Sequence, residues 1–78
     1  MTQETKRIKL LLVDDEHDFR RATAQVLTRR GFEVQHAESG ERALELLAEA
    51  LPDVVVLDLK MAGMGGISTL AEIRRIAP

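Results

Sequence analysis

Two runs of aliphatic residues in this chain of 78 residues each end abruptly at an aspartate. Residues 8–13 are apolar except for one lysine and are followed by Asp14 and Asp15, and residues 54–57 are followed by Asp58. Continuous runs of β-branched and aliphatic residues are typical of parallel strands that are covered on both faces. We therefore predict two buried strands with acidic carboxyl ends.

Apolar residues elsewhere recur with the spacing of amphipathic helices. We predict helices over residues 18–30, 40–51 and 67–76, with Ser39 as the N-cap of the second. The alternating residues 32–37 suit an edge strand. The stripes predicted to face the sheet are Phe19, Ala22, Val26 and Leu27 (with Arg20 on the opposite side), then Ala43, Leu44, Leu47, Ala48 and Leu51, then Ile67, Leu70, Ala71 and Ile73.

Strict alternation of strand and helix predicts a single α/β domain with parallel strands and right-handed crossovers. The absence of cysteine excludes thiolate metal sites and favours a cytosolic location. A net charge of −2, with basic pairs scattered along the chain, gives no expectation of nucleic acid binding. The apolar run at residues 10–13 is too short for a signal peptide or a membrane span.

The chemistry is expected where the two aliphatic runs end. The loops after parallel strands open at one edge of the sheet, so Asp14, Asp15 and Asp58 should converge there. Oxygen ligands without histidine or cysteine favour Mg²⁺, and Asp58 is then a plausible nucleophile toward phosphorus. The alternative is that Asp14 and Asp15 only mark the end of a strand. His17 is expected at a helix start, exposed to solvent and not a ligand.

Three segments together resemble the receiver domain of bacterial two-component response regulators. They are Leu-Leu-Val-Asp14-Asp15-Glu16, then Val-Val-Leu-Asp58-Leu-Lys-Met61, and the glycine-rich loop at residues 63–66. The resemblance covers essentially the whole chain, including the segment of residues 37–44. It implies a flavodoxin-like, three-layer fold with strand order 2-1-3, with the first helix on one face of the sheet and the other two on the opposite face.

The resemblance also implies a role for each acidic residue. Asp58 would accept the phosphoryl group, Asp15 and Asp58 would bind Mg²⁺ directly, and Asp14 would act largely through water. The backbone carbonyl of Lys60 would be a further ligand. The phosphoryl group would come from a histidine kinase or a small phosphodonor, so the chain is expected to be an acceptor and not an enzyme.

Two features depart from the family pattern. Ala62 stands where the family commonly has proline, which should loosen the loop. Only three of the five βα units of a receiver domain are present in residues 1–78, so the later Ser or Thr and Lys are missing and the signalling switch is expected not to operate.

The strand at residues 54–57 would then have a free edge, which predicts a homodimer through that strand. A self-associating assembly fragment without phosphotransfer is the alternative hypothesis.

Overall fold

Three strands and three helices alternate in the computed structural model, which describes residues 7–60 and 65–76. The strands form one parallel sheet in the order β2-β1-β3. This confirms the predicted α/β class and strand order. The elements are β1 (Lys9–Val13), α1 (His17–Arg29), β2 (Glu33–Ala37), α2 (Gly40–Glu49), β3 (Val54–Leu57) and α3 (Gly66–Ile76).

The central strand β1 sets the register of the whole sheet. Its last residue, Val13, lies opposite Ala37 at the end of β2 and opposite Leu57 at the end of β3. All three strands therefore end at the same level, and the residues that follow them lie along one edge. That alignment brings Asp14 and Asp58 next to each other.

The two faces of the sheet carry separate hydrophobic clusters. Successive residues of a strand point to opposite faces, so Leu11 packs on one side and Leu12 on the other. The α2/α3 face buries Leu11, Val13, Ala37, Ala43, Leu46, Leu47 and Ile73, and the α1 face buries Leu10, Leu12 and Ala24. The prediction that the first helix lies on one face of the sheet and the other two helices on the opposite face is confirmed.

The inward side of α1 differs from the predicted stripe. Arg20 and Ala24 are buried, whereas Phe19 and Val26 are exposed. The helix packs over β2 and β1, and no comparable packing against β3 is found among the described residues. Of the predicted stripe, Leu27 is partly buried and packs against the α1-face cluster, whereas Ala22 is exposed as well.

The prediction that β3 is covered on both faces is wrong. Val55 and Leu57 pack against the α2/α3 cluster, but Val54 and Val56 are 41% and 42% exposed on the other face. A helix about 10 Å wide covers roughly two strands spaced about 4.8 Å apart. Because α1 alone covers its face, the third strand remains open there.

The other two helices differ from prediction in details. In α2 the last helical residue is Glu49 and not residue 51, because Ala50 is already extended (φ −161°, ψ 136°) and Pro52 disfavours a helical conformation in the residue before it. Leu51 is consequently exposed. In α3 the buried residues are Gly66, Thr69 and Ile73, while Ile67 and Leu70 are exposed.

The turns between elements are set locally. The hydroxyl of Ser39 accepts a hydrogen bond from the backbone N–H of Arg42 at 3.0 Å, which confirms the predicted N-cap. After α1, Gly31 adopts φ +98° and Phe32 donates its N–H to the carbonyl of Leu27 at 3.2 Å. Such a left-handed residue after a helix reverses the chain and leads it into β2.

Candidate metal centre

Asp14 is held firmly at the end of β1. Its backbone N–H donates to the carbonyl of Ala37 at 3.1 Å, which extends the pairing with β2 by one residue. Its carboxylate Oδ1 accepts the backbone N–H of Glu16 at 2.9 Å, and the residue is only 6% exposed. The buried carboxylate therefore has a fixed orientation, and its second oxygen is available for a ligand or a water.

Asp58 occupies the matching position after β3. Its N–H donates to the carbonyl of Val13 at 2.9 Å, so its backbone is tied to the strand that carries Asp14. One carboxylate oxygen accepts the N–H of Lys60 at 3.0 Å, and the residue is half-buried. Asp58 thus combines a restrained backbone with a carboxylate that is accessible from solvent.

The carboxylates of Asp14, Asp15 and Asp58 come together at this edge. One oxygen from each lies within 4.8 Å of the other two, and Asp15 is the most exposed of the three. Octahedral Mg²⁺ with ligands at about 2.1 Å places neighbouring oxygens about 3 Å apart and opposite ones about 4 Å apart. The cluster fits such an ion with small adjustments or with an intervening water, and the predicted convergence of the three residues is confirmed.

An open crevice leads to this cluster from the α1 side of the sheet. It has a volume of about 510 Å³ and lies between α1 and β3. Phe19 and Val56 form its apolar walls, and Asp14, Glu16 and Asp58 line its acidic end. Asp58 is therefore accessible from solvent on this side without any rearrangement of the sheet.

Gly66 is a site residue whose role sequence reasoning missed, since the glycine-rich loop was used only as one of the segments that carry the family resemblance. A Cβ at this position would collide with the backbone of Asp58 and Leu59. The first turn of α3 therefore packs directly against the segment that carries Asp58. The available signal was a glycine directly before the first residue of a predicted helix, where most residues would serve equally well.

The remaining candidate residues lie at the border of the cluster. Lys60 is exposed and donates its N–H to Asp58, while the proposed role of its carbonyl stays a prediction. His17 begins α1 and is exposed as expected, with Nδ1 at 3.2 Å from a guanidinium nitrogen of Arg20. Ala62 and the start of the glycine-rich loop lie outside the described residues.

A parallel sheet with acidic residues after the first and third strands defines a class of α/β domains with an acidic carboxyl edge, and comparison with known proteins identifies the family. Residues 10–78 match the family model of the response regulator receiver domain. The chain belongs to this family.

Several relatives illustrate the match. The chain is 42% identical over 66 residues to the regulatory protein AtoC of Escherichia coli, covering 85% of this chain and 14% of AtoC. It is 41% identical over 69 residues to the chemotaxis protein CheY of Bacillus subtilis, covering 87% of this chain and 58% of CheY. The crystal structure of the response regulator TrrA from Thermotoga maritima, in complex with Mg²⁺-BeF, matches with a TM-score of 0.85 and 36% identity.

The TrrA match covers 90% of this chain and 61% of that one. The chain therefore spans less than two thirds of each of these three proteins. Within the described ranges, none of the helices has both the length and the apolar character needed to cross a membrane. The predicted membership of the receiver family and the fold are confirmed, whereas the role of each acidic residue stays a prediction.

Proposed function

We propose that this chain is a receiver domain that accepts a phosphoryl group on Asp58 in a Mg²⁺-dependent reaction of two-component signalling. The observation that supports the proposal best is the convergence of three carboxylates within 4.8 Å at the ends of β1 and β3. Like charges so close together are costly unless a cation compensates them. Bound Mg²⁺ would supply that compensation and would neutralise charge on the transferred group.

Each residue would act in a distinct way. One Asp58 oxygen accepts the Lys60 N–H, and the other would attack phosphorus in line with the leaving group. Attack forms an O–P bond to Asp58 and breaks the P–N bond of a phosphohistidine or the P–O bond of an acyl phosphate. The departing nitrogen or oxygen atom keeps the electron pair of the broken bond. Asp15 and Asp58, with the Lys60 carbonyl, would hold the ion directly, and Asp14 would hold it through water.

The phosphodonor would be a histidine kinase or a small acyl phosphate in the cytoplasm. Both donors present a phosphoryl group that must enter from solvent, and the open crevice beside Phe19 and Val56 provides the approach. The apolar walls would contact the donor, while the acidic end requires that the donor's charge be balanced by the ion.

The test is phosphorylation with acetyl phosphate and Mg²⁺, measured by intact-protein mass spectrometry. We expect the mass increment of one phosphoryl group in the unmodified chain and none in Asp58→Asn. Asp53→Asn is the matched control because Asp53 lies at the opposite end of the same strand, where its carboxylate accepts the N–H of Lys9 at 2.8 Å. A folded chain that is not modified, or that is modified equally in Asp58→Asn, would contradict the proposal.

A second function, self-association, is favoured by a different observation. Within the described residues β3 pairs only with β1, so the backbone of its other edge is unpaired, and Val54 and Val56 of the same strand are exposed on the α1 face. An apolar edge of this kind is a template for pairing with another strand. We propose that two copies pair through residues 54–57 across a two-fold axis, which makes a six-stranded sheet with an antiparallel centre.

This assembly is tested by size-exclusion chromatography with light scattering. The chain should elute as a dimer, and Val56→Lys should shift it to a monomer because charges on an edge strand oppose pairing. Ile67→Lys is the matched control, since Ile67 is also exposed but lies on α3. A well-folded monomer in the unmodified chain would refute the dimer and would leave the phosphorylation proposal untouched.

A further inference from the structure

Arg20 is a charged residue that is almost completely buried, at 7% exposure, on the inner side of α1. Burying a guanidinium is costly unless its donors are all satisfied. Its neighbour Arg21 is exposed, so the helix places two adjacent arginines in opposite environments. The sequence pattern had put Arg20 on the solvent side, so its burial needs a physical reason.

The guanidinium of Arg20 joins three separate elements. Nη1 donates to the backbone carbonyl of Asp14 at 2.8 Å, and Nε donates to Nδ1 of His36 on β2 at 3.2 Å. Nη2 lies 3.2 Å from Nδ1 of His17, which must be the acceptor because a guanidinium has donors only. The planar group is therefore held in one orientation by β2 and by the start of α1.

The contact with Asp14 matters for the acidic cluster. The carbonyl that Arg20 binds belongs to the peptide between Asp14 and Asp15, the two acidic residues that follow β1. Rotation of that peptide changes the ψ torsion of Asp14 and the φ torsion of Asp15, and with them the placement of Asp15 relative to Asp14 and Asp58. A donor that holds this carbonyl therefore fixes two of the three residues of the cluster at once.

We propose that Arg20 is a positioning residue of the metal centre, which clamps the peptide after Asp14 so that Asp14 and Asp15 face Asp58. This inference rests on the proposed Mg²⁺ site. The clamp acts on the ion only through the peptide, and His36 supports it by holding the guanidinium from the other side.

The direction in which Mg²⁺ affinity changes when Arg20 is replaced distinguishes the clamp from simple charge repulsion. Arg20 carries a positive charge close to a site for a cation, so charge repulsion alone predicts that its removal would tighten Mg²⁺ binding. Loss of the clamp predicts the opposite, because the carboxylates would no longer be preorganised. A purely structural role predicts an unchanged affinity in the folded fraction of the protein.

The experiment measures the Mg²⁺ dissociation constant by NMR titration of Arg20→Met, Arg20→Lys and the matched control Arg21→Met. We expect Arg20→Met to weaken binding by about tenfold or more, as for loss of one hydrogen bond from a charged donor. Arg20→Lys should recover part of this loss, since an ammonium can still reach a carbonyl. Arg21→Met should bind normally or slightly more tightly. Unchanged or tighter binding in folded Arg20→Met would overturn the proposal.

Hydrogen exchange at the amide of Glu16 gives a second readout that needs no metal. This amide donates to the Asp14 carboxylate, so it reports the order of the clamped turn. Exchange at Glu16 should accelerate in Arg20→Met relative to the amide of Thr69 in α3, and His36→Phe should give the same change with a smaller size. If the unmodified chain fails to bind Mg²⁺, the proposed function is wrong and the clamp is then tested by Glu16 exchange alone, where an unchanged rate in Arg20→Met would refute it.

Discussion

The two faces of the sheet are built from the same three strands but are covered very differently. On one face two helices enclose Leu11 and Val13 completely. On the other face one helix covers β1 and β2, and Phe19 and Val56 remain 61% and 42% exposed beside the acidic cluster. The comparison indicates that the α2/α3 face supplies most of the stability, whereas the α1 face supplies access to the site.

The largest loss of stability is expected when the neighbouring leucines of β1, which point to opposite faces of the sheet, are replaced by alanine. Leu11→Ala should cost the upper part of the usual range of about 2–5 kcal/mol, because the cavity it leaves is closed on all sides. Leu12→Ala should cost the lower part, since Leu12 borders the open crevice and water can enter the space. Urea denaturation of both variants measures the difference, and equal losses would contradict the asymmetry of the faces.

A smaller loss is expected at the contact between α3 and the Asp58 segment. Gly66→Ala should destabilise the chain by about 1–3 kcal/mol, as overpacking does, because the added methyl collides with the backbone of Asp58 and Leu59. It should also slow phosphorylation by acetyl phosphate, since Asp58 must shift. The control is Ile67→Ala on the next, exposed residue of α3, which should change neither property. If Gly66→Ala changed neither the stability nor the rate of phosphorylation, the contact between α3 and the Asp58 segment would not be tight.

The open face should be tolerant of substitution unless a partner covers it. Val56→Ala should cost well under about 1 kcal/mol in a monomer, because surface positions contribute little. If two copies pair through β3, the same substitution should instead lower stability in a way that depends on protein concentration. Thermal melts at two concentrations that differ by about a hundredfold distinguish the two cases, with Val55→Ala as the partly buried control on the same strand.

The smallest effect is expected on the outer surface of α3. The guanidinium of Arg75 lies 2.6 Å from Glu72, and this hydrogen bond, with the charge of Arg75, lowers the pKa of the Glu72 carboxyl. A lowered pKa in the folded state means that the contribution of Glu72 is present above its unfolded pKa and is lost as the pH falls through the folded value. Both side chains face solvent, so Glu72→Gln should leave the melting temperature almost unchanged at neutral pH. A large loss would show that α3 depends on this pair.

Much of the site could be predicted from the chain. The three aspartates were identified from the abrupt ends of two aliphatic runs, and their convergence needed only the rule that parallel strands share one carboxyl edge. Arg20 could not be identified in the same way. Arg20 and Ala24 are spaced as a helical face, but an apolar alternative with Phe19 and Val26 was available, and periodicity cannot decide between two stripes on one helix.

The order of the elements, the parallel sheet and the acidic edge are predictable from the chain, because they depend on local periodicity and on the geometry common to all parallel sheets. Which side of α1 is buried, and how much of β3 is open, became visible only in the packed fold. Both depend on the number of helices that lie on each face, since one helix about 10 Å wide covers two strands and leaves a third exposed. The buried position of Arg20 follows from the same placement of α1 over β1 and β2.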